Sequence, residues 1–204
     1  MKKALLVVDI QNDFCPGGAL AVNEGDEIIP IVNELMLQFD TVIFTQDWHP
    51  GDHLSFASNH EETAPYDVIQ MPYGPQVLWP DHCVIGSEGA DFHPKLNTMK
   101  ATSVIRKGYN AEIDSYSAFK ENDQKTTTGL DGLLKSLEID LVYVVGLATD
   151  FCVKWTSLDA RNAGFDVKVV LDACRGIDLD NSVENAVNEM ENAGIDIINS
   201  SDLL

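Results

Sequence analysis

The sequence predicts a doubly wound α/β fold, with a mostly parallel six-stranded sheet, helices on both faces and a small irregular inserted lobe. Three observations predict it. Near-continuous Val/Ile/Leu runs recur at 3–9, 41–46, 102–106, 140–146, 166–171 and 195–199, as in strands buried on both faces. Segments of helical periodicity lie between several of these runs. Finally, Asp9, Asp47, Lys107 and Cys152 stand at or just beyond the carboxyl ends of four runs, where open parallel sheets bind ligands.

Each element has its own grounds. After the first run, Asn23 to Gln38 sets Ile28, Ile29, Val32, Leu35 and Met36 on one stripe, with Pro30 admissible only in the first turn. The stretch from Gly51 to Thr98, rich in Pro, Gly, Asn and His, shows no sustained period. A segment of that length is expected to form an irregular lobe over the sheet edge. Gly129 to Leu137 repeats the helical stripe through Leu130, Leu133, Leu134 and Leu137. In GLATDFCVKWTSLDARNAG the chain turns from strand into helix, with Thr149 or Asp150 placed to cap it and Cys152 in its first turn. Asn181 to Ala193 is the last helix, and Gly194 suits its C-terminal cap. There is no repeat or low-complexity tract, and residues 1–204 read as a single domain.

Composition narrows the function. A formal charge of −20 argues against a nucleic-acid backbone binder, which needs basic surface, and makes a neutral small molecule the easier substrate. The start MKKALLVVDI is interrupted by Asp9, Gln11, Asn12 and Asp13, so neither a signal peptide nor a membrane span is expected. A chain of this kind is expected in the cytoplasm, with Cys15, Cys83, Cys152 and Cys174 as reduced thiols. Homo-oligomerisation is left open.

Cys152 is the candidate nucleophile. Unpaired N–H groups at a helix start favour thiolate, a nearby Lys107 ammonium would lower the thiol pKa further, and the same N–H groups can form an oxyanion hole. Asp9, beside them, is a candidate general base, although a carboxylate capping a turn is the simpler reading of DIQND alone. Cys15, Cys83 and Cys174 lack the helix start and read as structural.

A second constellation suits a metal. Asp47 and His49, two apart on an extended segment, point the same way. His82, in WPDHC, can add a third ligand from the lobe. Two histidines and a carboxylate fit one divalent ion, Zn²⁺ first, with Fe²⁺ or Mn²⁺ as alternatives. His53 is a further candidate; His60 and His93 read as surface histidines.

Taken together, VVDIQNDFCPGGAL, TQDWHPGDHLSF, WPDHCVIGSEGADFHP, RKGYNAEIDSYSAF and GLATDFCV resemble the nicotinamidases among the isochorismatase-like cysteine hydrolases. The resemblance implies a catalytic triad of Asp9, Lys107 and Cys152. It also implies metal ligation by Asp47, His49 and His82, with His53 matching a position that ligates in some members and gives way to water in others. It implies a cis peptide before Ala148, an oxyanion hole at the Ala148 and Cys152 amides, and a ring pocket walled by Phe14, Leu20, Trp79 and Tyr116. The implied reaction is deamidation of nicotinamide, and of pyrazinamide, through a thioester in NAD salvage. Three alternatives stay open: hydrolysis of another small amide, ureide or vinyl ether, a metal-water hydrolase with Cys152 structural, and a non-catalytic binding module.

Overall fold

A computed structural model describes residues 1–204. The strands are β1 (Lys3–Val8), β2 (Val42–Asp47), β3 (Val68–Met71), β4 (Gly74–Val77), β5 (Ser103–Lys107), β6 (Leu141–Leu147), β7 (Asp166–Arg175) and β8 (Asp196–Ile198). The helices are α1 (Ile29–Leu35), α2 (Leu130–Ser136), α3 (Lys154–Asn162) and α4 (Ser182–Asn192). Six strands form one parallel sheet in the order β5-β2-β1-β6-β7-β8. The chain winds one way from β1 and the other way from β6, so the switch point falls between them. Asp9 follows one of these two strands and Cys152 the other.

Period-two burial divides the sheet side chains between two cores. Leu5 and Val7 of β1 face α1 residues such as Val32 and Leu35 on one side. Ala4, Leu6 and Val8 face Leu134 of α2, Ala160 of α3 and Met190 of α4 on the other. Helices therefore cover both faces, and the first core also takes in Trp79, Ala90 and Leu96 from the lobe.

Several boundaries differ from expectation. The helical stripe at 23–38 resolves into α1 flanked by 3-10 turns at Gly25–Ile28 and Met36–Gln38, with Pro30 in the first turn of α1, where a missing N–H is harmless. β7 runs on to Arg175, past a register shift opposite Val144 and Gly146. Gly146 has φ +122°, and a Cβ there would strike the Val8 carbonyl oxygen; only glycine lets β6 pass β1 so closely. The lobe is not wholly irregular, because β3 and β4 pair as an antiparallel hairpin within it.

Candidate active site

Four strand ends deliver the first constellation. Asp47 and Lys107 are the last residues of β2 and β5 and are register partners, so their side chains share one face. Asp9 lies one residue beyond β1 and turns into the left-handed region at φ 48°, a conformation aspartate tolerates better than most residues. Thr45 Oγ1 secures it, donating to Asp9 Oδ1 at 2.5 Å and accepting from the Asp9 N–H at 3.1 Å. Gln11 ties the next turn to β2, donating to the Asp47 carbonyl at 2.8 Å and accepting from the Asp47 N–H at 2.8 Å.

Lys107, wholly buried, joins these groups. Its ammonium lies 2.9 Å from Asp9 Oδ2 and hydrogen-bonds Asp47 Oδ1. It donates also to the Ser115 carbonyl at 2.9 Å, and Cys152 Sγ is 3.4 Å away. Burial alone would discharge the amine, but Asp47 and Asp9 outweigh it and hold its pKa well above the ordinary lysine value. Burial likewise opposes ionisation of Asp47, yet Lys107 and then His49 keep that carboxyl below its usual range. Asp9 moves the other way: burial raises its pKa, Lys107 opposes this and Asp47 adds to it.

Cys152 departs from expectation on two points. It sits in a single π-turn, Thr149–Val153, ahead of α3, and neither Thr149 nor Asp150 caps that turn. The Asp150 carboxylate instead accepts from the Ile177 and Asp178 N–H groups at 3.0 and 2.9 Å and from Ser182 Oγ at 2.6 Å. Moreover, burial pushes the thiol well above its ordinary pKa; Lys107 opposes, while Asp9 and Asp47 raise it further. A helix-start argument counts the local N–H charges and misses two carboxylates brought from other strands. Burial and the two carboxyls favour the thiol, and Lys107 favours the thiolate. The peptide between Leu147 and Ala148 is cis, as the resemblance implies.

The second constellation adjoins the first through Asp47. His49 Nε2 and His82 Nε2 lie 3.6 and 3.8 Å from Asp47 Oδ2, while Oδ1 faces Lys107. Each imidazole is turned by its other nitrogen: Nδ1 of His49 donates to the Gly108 carbonyl and Nδ1 of His82 to the Pro80 carbonyl, both at 2.8 Å. Both Nε2 atoms are thereby turned to one carboxylate oxygen, the arrangement in which a divalent ion would take their lone pairs. Gly108, at φ +68°, leaves room for the His49 ring, which a Cβ would overlap. Burial and then the neighbouring His49 push His82 down to about 4, which keeps it neutral. His53 packs against His49 with ring centroids 4.5 Å apart. His60 and His93 serve the backbone: His60 Nε2 donates to the Leu54 carbonyl and His93 Nδ1 accepts from the Lys95 N–H.

Both constellations open into one cavity of about 340 Å³, mouth included. Phe14, Leu20, Trp79 and Tyr116 line it as expected, together with Asp47, His82, Ala148 and Cys152. Asp114, Phe151 and Ile177 also line it and were not anticipated. Phe151 stacks edge-on to Trp79 with centroids 4.9 Å apart; its place beside Cys152 in the turn was the one available signal. Asp114 lies in the block RKGYNAEIDSYSAF, two residues before Tyr116, which was its available signal; Ile177 lies in none of the blocks. The remaining cysteines, Cys15, Cys83 and Cys174, are buried and free. No helix is long and apolar enough to cross a membrane.

Comparison with known proteins identifies the family. The Isochorismatase domain model matches residues 3–202. A nicotinamidase of Acinetobacter baylyi is 55% identical over 201 residues, covering 98% of this chain and 94% of that protein. The chain belongs to the nicotinamidase branch of the isochorismatase family. A solved nicotinamidase/pyrazinamidase of Acinetobacter baumannii superposes with TM-score 0.98 at 55% identity, over 100% of this chain and 98% of the other. A pyrazinamidase of Pyrococcus horikoshii, solved in complex with zinc, superposes with TM-score 0.80 at 38% identity, over 98% and 99% of the two chains. As a member of this branch the chain is an amide hydrolase.

Proposed function

We propose that this protein deamidates nicotinamide, and pyrazinamide likewise, to the carboxylic acid and ammonia through a thioester on Cys152. Its place would be in cytoplasmic NAD salvage. The observation that carries the reading is the Lys107 ammonium bridging Asp9, Asp47 and Cys152, of which Asp47 and Cys152 line an aromatic pocket together with His82.

The chemistry follows from the charges. The Cys152 thiol gives its proton to Asp9 as sulfur attacks the carboxamide carbon, and Lys107 stabilises the thiolate as it forms. Asp9 is suited to this because burial has raised its proton affinity. The oxyanion is assigned to the Ala148 and Cys152 amides. Asp9 then passes the proton to the departing ammonia, leaving the thioester. Next it takes a proton from water attacking that thioester, which releases the acid and restores the thiol. Asp47, His49 and His82 would hold a divalent ion, with zinc favoured by the P. horikoshii relative, and the bound ion would fix the ring nitrogen. Trp79 and Phe151 bound the ring and exclude water. A ligand set of this kind is of little use to an amide without a ring donor, which disfavours a ureide or aliphatic amide.

The deciding experiment is ammonia release from nicotinamide with metal content measured on the same sample. Turnover that tracks bound metal is expected; no turnover by metal-replete protein would overturn the reading.

A further inference from the structure

The sequence offers Asp150 as a cap for the turn that carries Cys152, but its side chain leaves that turn. The carboxylate reaches the segment joining β7 to α4. Oδ1 accepts from the Ile177 N–H at 3.0 Å, and Oδ2 accepts from the Asp178 N–H at 2.9 Å and from Ser182 Oγ at 2.6 Å. Asp150 is 2% exposed, and three donors offset the cost of burying its carboxylate. Two oxygens with several lone pairs suit N–H groups that diverge from successive residues.

The segment so held offers little of its own to the core. Asp178, Leu179, Asp180 and Asn181 are exposed. Asp178, Asp180 and Asn181 turn through left-handed φ angles of 59°, 52° and 61°, conformations that cost free energy and need support from their surroundings. Its inward apolar residue is Ile177, which packs on the core containing Phe14 and Leu20 and lines the catalytic cavity. Asp150 does not line that cavity, whereas Phe151 and Cys152, the next two residues of its turn, do. One carboxylate thus fastens a wall of the cavity to the turn that carries the nucleophile.

We infer that Asp150 is a positioning residue for the reaction: by clasping residues 177–182 to the nucleophile's turn, it keeps Ile177 against the substrate ring. The inference rests on the ring-pocket reading above and adds to it the residue that sets one wall. A carboxylate that served only to stabilise the turn would affect the melting temperature and leave KM alone. One that holds a wall acts on binding, and acts through that wall.

The test is a double-mutant cycle on the metal-replete enzyme. Asp150→Asn is nearly isosteric and exchanges one acceptor oxygen for a donor, so one N–H of the clasp loses its partner. It should raise KM for nicotinamide about 10-fold with kcat within about 3-fold of the parent. Ile177→Ala should raise KM by about 10-fold or more. Combined, the two should exceed Ile177→Ala alone by no more than about 3-fold, whereas independent effects would multiply to about 100-fold. Hydrogen exchange at the Ile177 and Asp178 amides should quicken at least about 10-fold in Asp150→Asn, with the amides of β1 and β6 unchanged. If Asp150→Asn does not fold, Ser182→Ala, which removes one donor, carries the same cycle. Its rise in KM, about 3-fold, should then vanish in the Ile177→Ala background. Multiplying effects, an unchanged KM in the folded variant, or unaltered exchange at Ile177 and Asp178 would overturn the inference. A parent enzyme that releases no ammonia from nicotinamide would overturn the ring-pocket reading instead, and the exchange measurement, which needs no substrate, tells these failures apart.

Discussion

On the sheet edge, Asp9, Asp47, Lys107 and Cys152 arrive from four parallel strands whose spacing the backbone ladder dictates. In the lobe and the turns around it, His49, His53 and His82 arrive on irregular chain and are aimed one at a time by backbone partners. The first region concentrates ionisable groups: an amine and two carboxyls packed side by side, their proton affinities set by one another and by burial. The second concentrates imidazoles, each turned by a carbonyl or an amide at its Nδ1. Covalent chemistry needs charges at fixed separations, which a sheet supplies at little conformational cost. Holding an ion and a ring needs orientation, which single hydrogen bonds supply. Asp47 belongs to both, giving Oδ1 to Lys107 and Oδ2 to the histidines, so the regions are joined by one carboxylate.

If the sheet edge alone performs the chemistry, Cys152→Ala should abolish turnover while leaving the ion site and the fold intact. Ammonia release near the parent rate would show that the lobe carries the reaction through a metal-bound nucleophile. Asp9→Asn should come next, lowering the rate by about 10²-fold or more, the scale of a lost general acid–base group. A folded Asp9→Asn protein with undiminished turnover would return Asp9 to the role of a turn residue.

The lobe is tested by substrates. Nicotinamide and pyrazinamide carry a ring nitrogen meta to the carboxamide and should lose turnover on chelation. Benzamide has no ring donor, so its small rate should change little. A metal acting on the carbonyl would depress all of these amides alike. Equal fold-losses for nicotinamide and benzamide would therefore refute a purely orienting ion. Asp47→Ala is the less clean of the ligand substitutions, because it also strips Lys107 of a partner; His82→Ala isolates the lobe's contribution.

The two regions were not equally legible in the sequence. Apolar runs marked the strands, and a residue at a strand end is close to a parallel sheet's binding edge whatever the loops do. That placed Asp9, Asp47, Lys107 and Cys152 together, even though boundaries shifted by a residue or more. The hairpin of β3 and β4 left no such mark, since Val68–Met71 alternates between exposed and half-buried positions and contains only four residues. Ile177 reaches the pocket through tertiary packing, so no local pattern announces it, whereas Asp114 sat unread in the block that supplied Tyr116. The proton affinity of Cys152 was not readable locally, because it depends on burial and on carboxyls delivered by β1 and β2. The set of His49, His82 and Asp47 was readable from residue type and spacing, but the ring nitrogen each histidine presents depends on backbone partners visible only in the fold.

The smallest effect expected is one of stability, and it separates the regions by pH. Burial, with His49 close by, pushes both His53 and His82 down to about 4, whereas an unfolded histidine titrates near ~6.5. Between these values the unfolded chain binds more protons, so metal-free protein should lose stability as pH falls from about 6.5 to about 4. Each ring contributes at most about 1.4 kcal/mol per pH unit. His49 contributes in the opposite sense: burial would lower its pKa, but Asp47 outweighs that and raises it. Its share is complete below the unfolded value and fades as pH rises through the folded one. Asp47, held below the carboxylate range against burial by Lys107, protects stability until more acidic conditions. Urea midpoints at pH 7 and pH 5 should therefore differ in the chelated parent, and His82→Gln should flatten that difference by removing one of the two depressed rings. An unchanged pH slope in His82→Gln would mean that His82 is free to charge in the folded protein and that the acid sensitivity arises at the other depressed ring, His53.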